Sequence, residues 1–269
     1  MRTRASIALL PLACLLGCGL PSTPPASTTT TPAGNWQIQT GTAITSPPTG
    51  LYFTGAVQTQ DTQSSAVFTN FGSTSTGSQV LSLLGTYNSS TSVVALYPVA
   101  VGPFVYDIDF AEPSVPYTVI PVSVIGGCVY PLNYQGPECM AITGGPAVGV
   151  QIAPLNGTFT GTLTVSTTPS MSGTGSLSLT QSTTPNADGS FSITGTVTFP
   201  SNSGIGTYTI SGIITGEGIT LYDPTPGIVP VVSLMASTNP AATQITVSNL
   251  AFAGTASGIV TYTGTLNLQ

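Results

Sequence analysis

The sequence predicts an all-β protein built as an antiparallel meander, with two small β-barrel or β-sandwich modules in tandem. Three observations carry that expectation. Thr, Ser, Val, Ile and Gly dominate, and apolar and polar residues alternate with period two over many short runs. Gly, Pro and Asn break these runs every few residues. No segment offers the 3.6-residue apolar spacing of an amphipathic helix. Only 4% of the residues are charged while 41% are hydrophobic, so the composition is not that of a disordered chain, which pairs low hydrophobicity with high net charge.

The chain opens with Arg2 and Arg4, followed by the apolar run Ile7-Ala8-Leu9-Leu10-Pro11-Leu12-Ala13. This run is shorter than the ~20 residues that span a bilayer and reads as a signal peptide over residues 1–17. It ends in Leu15-Leu16-Gly17-Cys18, which resembles the lipobox of bacterial lipoproteins. The resemblance implies cleavage before Cys18 and a diacylglycerol on its thiol, with fatty acyl chains of the palmitate class. Gly19 stands where an aspartate tends to retain such proteins in the inner membrane, so the implied address is extracytoplasmic, on the outer membrane. Residues 18–33 hold the lipidated cysteine and a Pro/Ser/Thr linker, a composition that stays extended and buries no core.

Residues 34–152 form the first expected module. Trp36–Thr40 and Leu51–Gln60 open it with alternation, followed by Ala66–Phe71, Val80–Tyr87 and Ser92–Tyr97. Phe104–Phe110 and Tyr117–Ile125 are bounded by prolines. The second module, residues 155–269, begins with Thr158–Ser166, where Thr alternates with Phe159, Leu163 and Val165, giving one wet and one buried face. Gly175–Gln181, Ser190–Phe199, Gly206–Ile214 and Ile219–Tyr222 continue the pattern. Ile228–Met235, Gln244–Phe252 and Gly258–Leu268 complete it. A weak internal repeat supports the division: Gly34-Asn35-Trp36 has a counterpart in Gly157-Thr158-Phe159, and Leu96-Tyr97-Pro98 in Leu221-Tyr222-Asp223-Pro224.

Gly34-Asn35-Trp36 at the head of a meander resembles the Gly-x-Trp opening of lipocalins. Phe159-Thr160-Gly161-Thr162 and Ile193-Thr194-Gly195-Thr196 are similar to strands of avidin-type barrels. Both families are closed barrels that hold one small ligand, so these resemblances imply a carrier. Lipocalins place an arginine over the tryptophan, and this chain has none there.

Arg2 and Arg4 are the only basic residues, there is no histidine, and all eight acids lie beyond Cys18. Without cations the mature chain has no electrostatic grip on nucleic acid or on anionic headgroups. Ser-His-Asp and Ser-Lys nucleophiles are excluded, and histidine-ligated metal is excluded with them. No cofactor and no metal are expected. Of the four cysteines, Cys14 leaves with the signal and Cys18 is the lipid site. Cys128 and Cys139 then point to one disulfide rather than a zinc site, since no histidine is available to complete one. A loop of that length contributes about 3 kcal/mol in the chain-entropy model.

Carboxylate pairs are the remaining catalytic option. The one cluster is Asp107-Ile108-Asp109-Phe110-Ala111-Glu112, where Asp107 and Asp109 share a strand face. It reads as a solvated face, a Ca²⁺ site or an acid/base pair. Tyr97, Tyr106, Tyr117, Tyr130 and Tyr134 crowd the same region, and with Asp107 and Asp109 they form the candidate binding face. The expected function is non-catalytic, an envelope or surface interaction module with an envelope protein or a glycan as partner. The alternatives are a carrier of a small apolar ligand and, third, a carboxylate-only glycosidase.

Overall fold

A computed structural model describes residues 32–40, 52–70, 79–88, 93–98, 107–110, 120–125, 128–129, 140–141, 145–224, 231–254 and 258–269. The fold is all-β, and the strands close into two eight-stranded antiparallel barrels. The first is built from β1 (Gly34–Thr40), β2 (Tyr52–Gln60), β3 (Gln63–Asn70), β4 (Gln79–Asn88), β5 (Val93–Pro98), β6 (Asp107–Phe110), β7 (Ile120–Ile125) and β10 (Gly145–Ile152). Between β7 and β10 a small ribbon pairs β8 (Cys128–Val129) with β9 (Met140–Ala141). The second barrel runs in simple chain order. It comprises β11 (Gly157–Thr164), β12 (Gly173–Pro185), β13 (Phe191–Thr198), β14 (Thr207–Thr215), β15 (Gly218–Tyr222), β16 (Val231–Thr238), β17 (Gln244–Gly254) and β18 (Gly258–Leu268).

Most strands fall where alternation places them. Strand β10 is different. Its sequence, Gly145-Pro146-Ala147-Val148-Gly149-Val150-Gln151-Ile152, carries the residues of a loop, yet it pairs with both β1 and β7 and closes the first barrel. Pro146 lies beyond the end of the β1 ladder, which stops at Thr40 opposite Ala147, so its missing N–H removes no bond on that side.

In the second barrel the alternation becomes a packed interior. Every strand sends apolar side chains into one cluster. Phe159 and Leu163 come from β11, Leu177 and Leu179 from β12, and Tyr262 and Leu266 from β18, all essentially without exposure. Eight strands leave an interior just wide enough for such side chains to fill. One end is stopped by the aromatic group Phe199, Tyr208, Phe252 and Tyr262, with ring centroids 5.3–6.1 Å apart. Two 3-10 turns, Pro169–Met171 and Ser201–Ser203, lie against each other beside this group. The Asn202 amide ties them together, donating to the Ser170 and Ser172 carbonyls at 2.7 Å.

The seam between β11 and β18 needs glycine. A Cβ on Gly161 would lie 2.1 Å from the Thr265 carbonyl oxygen, and one on Gly264 would lie 2.2 Å from that of Thr162. The two strands therefore approach more closely than any side chain permits.

Candidate functional site

Strand β1 carries Asn35, Gln37 and Gln39 on one face and Trp36 and Ile38 on the other. In the structure both faces are buried. Trp36, Ile38, Phe53 and Phe68 fill the inside of the first barrel, while Asn35 and Gln37 meet the second. The contact is the tight turn Gly216-Glu217 between β14 and β15. The Asn35 carboxamide donates to the Gly216 carbonyl at 2.8 Å and accepts from the Gly216 N–H at 2.7 Å. It thus satisfies both backbone groups of a residue 181 positions away. Gln37 Oε1 accepts from the Glu217 N–H at 3.3 Å, and the Thr215 and Thr54 hydroxyls meet at 2.9 Å. Gly216 takes φ +54, and a Cβ there would press on Thr54 at 2.7 Å. Apolar packing continues across the junction, where Ala56, Val150 and Ile152 join the second barrel's cluster through Ala153 and Leu155.

Beside this junction lies a groove of about 300 Å³. The first barrel contributes Val57, Gln58 and Thr59 from β2 and Gln151 from β10. The linker contributes Pro154 and Asn156, and β12 contributes Gln181, Ser182 and Thr183. Two of the carboxamides are held by their oxygens. Gln181 Oε1 accepts from the Leu155 N–H at 2.8 Å, and Asn156 Oδ1 accepts from the Gln181 N–H at 2.9 Å. A second depression of about 250 Å³ shares Gln58 and Thr59 and continues past Gln60, Gln63 and Ser65 to Leu84. Among the described residues, no acidic and no basic side chain lines either one.

Two acids near the junction have shifted pKa values. Burial holds the Glu217 carboxyl above its ordinary value. Tyr52 is raised as well, first by burial and then by the Glu217 carboxylate beside it. In the turn before β13, Asp188 is lowered, chiefly because the Ser190 hydroxyl donates to Oδ1 at 2.6 Å, while burial opposes the shift and the Ser190 N–H adds a bond at 3.0 Å. The two acids act on stability in opposite directions. A lowered carboxyl contributes stability that is present above its unfolded pKa and lost as pH falls through the folded one. A raised carboxyl costs stability at neutral pH and is relieved as pH falls through its folded pKa. Glu217→Gln is therefore expected to raise Tm at pH 7, with the gain shrinking toward pH 4. Differential scanning calorimetry at the two pH values checks this, and an equal Tm difference at both would contradict it.

The candidate face read from sequence falls largely outside the described residues. Asp107 and Asp109 are two positions apart on β6, with Asp109 opposite Ala95 of β5 and Ser123 of β7. Tyr97 lies on β5, one position beyond the Leu96–Ile108 pair. Cys128 lies on β8. Cys18, Tyr106, Tyr117, Tyr130, Tyr134 and Cys139 lie outside the described residues. Among the described residues no three of His, Cys, Asp and Glu stand together as a metal site. The groove residues gave no sequence signal, because Gln and Asn in strands and linkers are ordinary and their proximity comes from the packing of the two barrels.

No protein-family model matches this chain, and no curated protein matches it. Among solved structures there is a loose likeness to kievitone hydratase from Nectria haematococca, at 10% identity and a TM-score of 0.25, covering 90% of this chain and 91% of that one. A likeness at that level carries no argument about activity.

Proposed function

We propose that this protein is a lipid-anchored, extracytoplasmic binding module, non-catalytic, held on the bacterial outer membrane by acyl chains on Cys18. The observation that carries the binding role is the groove beside the barrel junction, walled by neutral carboxamides and hydroxyls. A Ser or Thr nucleophile has no His or Lys base in the mature chain, which contains no His, Lys or Arg. The carrier alternative is weakened by the second barrel, whose interior is occupied by its own side chains. A disulfide between Cys128 and Cys139 belongs to the same reading, since the compartment is oxidising. The resemblance to lipobox lipoproteins supports the anchor.

The test of the anchor is Cys18→Ser. With no basic patch to hold an anionic surface, the acyl chains must supply all of the membrane affinity. The variant is expected to move fully into the soluble fraction on cell fractionation. Retention on the membrane would overturn the anchor. Immobilised full-length protein should also capture an envelope component without turning it over.

A further inference from the structure

The groove shows what kind of ligand it takes. Gln181 is 7% exposed. Its Oε1 is occupied by the Leu155 N–H, and its Nε2 has no partner among the described residues. A carboxamide with its oxygen pinned can turn only its NH₂ toward the groove it lines, so the two donors stay open to that groove. Asn156, which is exposed, also has its oxygen held, by the Gln181 N–H, with no partner for its Nδ2 among the described residues. The built feature is thus a pair of oriented NH₂ donors in a groove also lined by Thr59, Ser182 and Thr183, the Ser182 hydroxyl being tied to the Thr184 backbone.

Such donors call for ligand oxygens. Anionic ligands are disfavoured because no cation exists in the mature chain to offset their desolvation. Cationic ligands are disfavoured because no carboxylate among the described residues lines the groove. An extended peptide would bind best by adding a strand to a sheet edge, and both barrels are closed, so neither offers one. What remains is a neutral, oxygen-rich molecule with some apolar surface, matching the carboxamides and hydroxyls on one side and Val57, Pro154 and Pro185 on the other.

We propose that the groove binds a neutral saccharide of about two sugar units, and that the adjoining depression along Gln60, Gln63 and Leu84 accommodates the continuing chain. A volume of about 300 Å³ is at the lower end of small-molecule sites. This inference deepens the binding-module reading by naming its ligand class and rests on it.

The experiment is saturation-transfer-difference NMR on the full soluble chain carrying Cys18→Ser, with maltose, cellobiose, N,N′-diacetylchitobiose and, as a peptide control, tetra-alanine. At least one disaccharide is expected to receive saturation, with a Kd of about 1 mM or tighter. Two variants locate the site. Gln181→Glu keeps an oxygen for the Leu155 N–H but replaces the donors by an acceptor. Thr183→Trp fills the groove from an exposed position and leaves the Gln181 and Asn156 carboxamides in place. Each should weaken binding at least about tenfold, with Tm reporting that Thr183→Trp is folded. No transfer to any disaccharide, transfer to tetra-alanine alone, or binding unchanged in a folded Thr183→Trp would each overturn the proposal. Capture of an envelope protein by both the parent chain and Thr183→Trp would overturn the saccharide groove while leaving the binding-module reading standing.

Discussion

Asn35→Ala is expected to lower stability by about 2–4 kcal/mol. It is also expected to split thermal unfolding into two transitions. The side chain is 2% exposed and meets both backbone groups of Gly216. Truncation leaves a buried N–H and a buried C=O without partners, and each such group costs its own desolvation. Because that residue also joins the barrels, the loss should appear as lost coupling as well as lost stability. Calorimetry separates the two effects, with one peak in the parent chain and two in the variant. Asn35→Asp keeps the acceptor for the Gly216 N–H but removes the donor to its carbonyl, and it should fall between them. A single unshifted transition in Asn35→Ala would show that the junction rests on the apolar contacts of Ala56, Val150 and Leu155 instead.

Gly161→Val is expected to cost about 3 kcal/mol or more. The obstacle is the Thr265 carbonyl, a backbone atom 2.1 Å from where the Cβ would sit. A flexible side chain could move aside, but a ladder carbonyl moves only with its strand. The valine therefore has to push β18 away from β11 at the seam that closes the second barrel. Gly218→Ala is the matched control. Its Cβ would lie 3.5 Å from the nearest atom, an ordinary contact, so its effect should stay within about 0.5 kcal/mol. Chemical denaturation of the two variants side by side checks the contrast.

The fold class was legible because one face of most strands is buried and the other is wet, and that alternation is written directly into runs such as Phe159-Thr160-Gly161-Thr162-Leu163. Strand β10 was not legible. Its glycines and proline describe a loop locally, and only pairing with β1 and β7 makes it a strand. The junction defeats local reading in a different way. Asn35 and Gln37 have the composition of a solvated face, and they are buried where the Gly216-Glu217 turn of the second barrel meets them. Gln58 and Gln181 come from different barrels and meet only after both have closed, so no spacing within the chain announces the groove. The acids and tyrosines that do stand out in sequence cluster between residues 97 and 139. The backbone there brings Tyr97 and Asp107 onto neighbouring strands.

Each barrel closes by joining its earliest strand to its latest. The Thr164 hydroxyl reaches the Thr263 carbonyl across 99 residues, and the Gln151 amide reaches the Ala33 carbonyl across 118. A chain that emerges from its N-terminus cannot make these bonds until nearly the whole barrel is out. Until then both flanking strands present open hydrogen-bonding edges, the surface on which β proteins misassociate. Closure is also the step with the largest loop entropy, so it should dominate the folding time. The hazard is therefore greatest in the nascent molecule and disappears once β18 is in place.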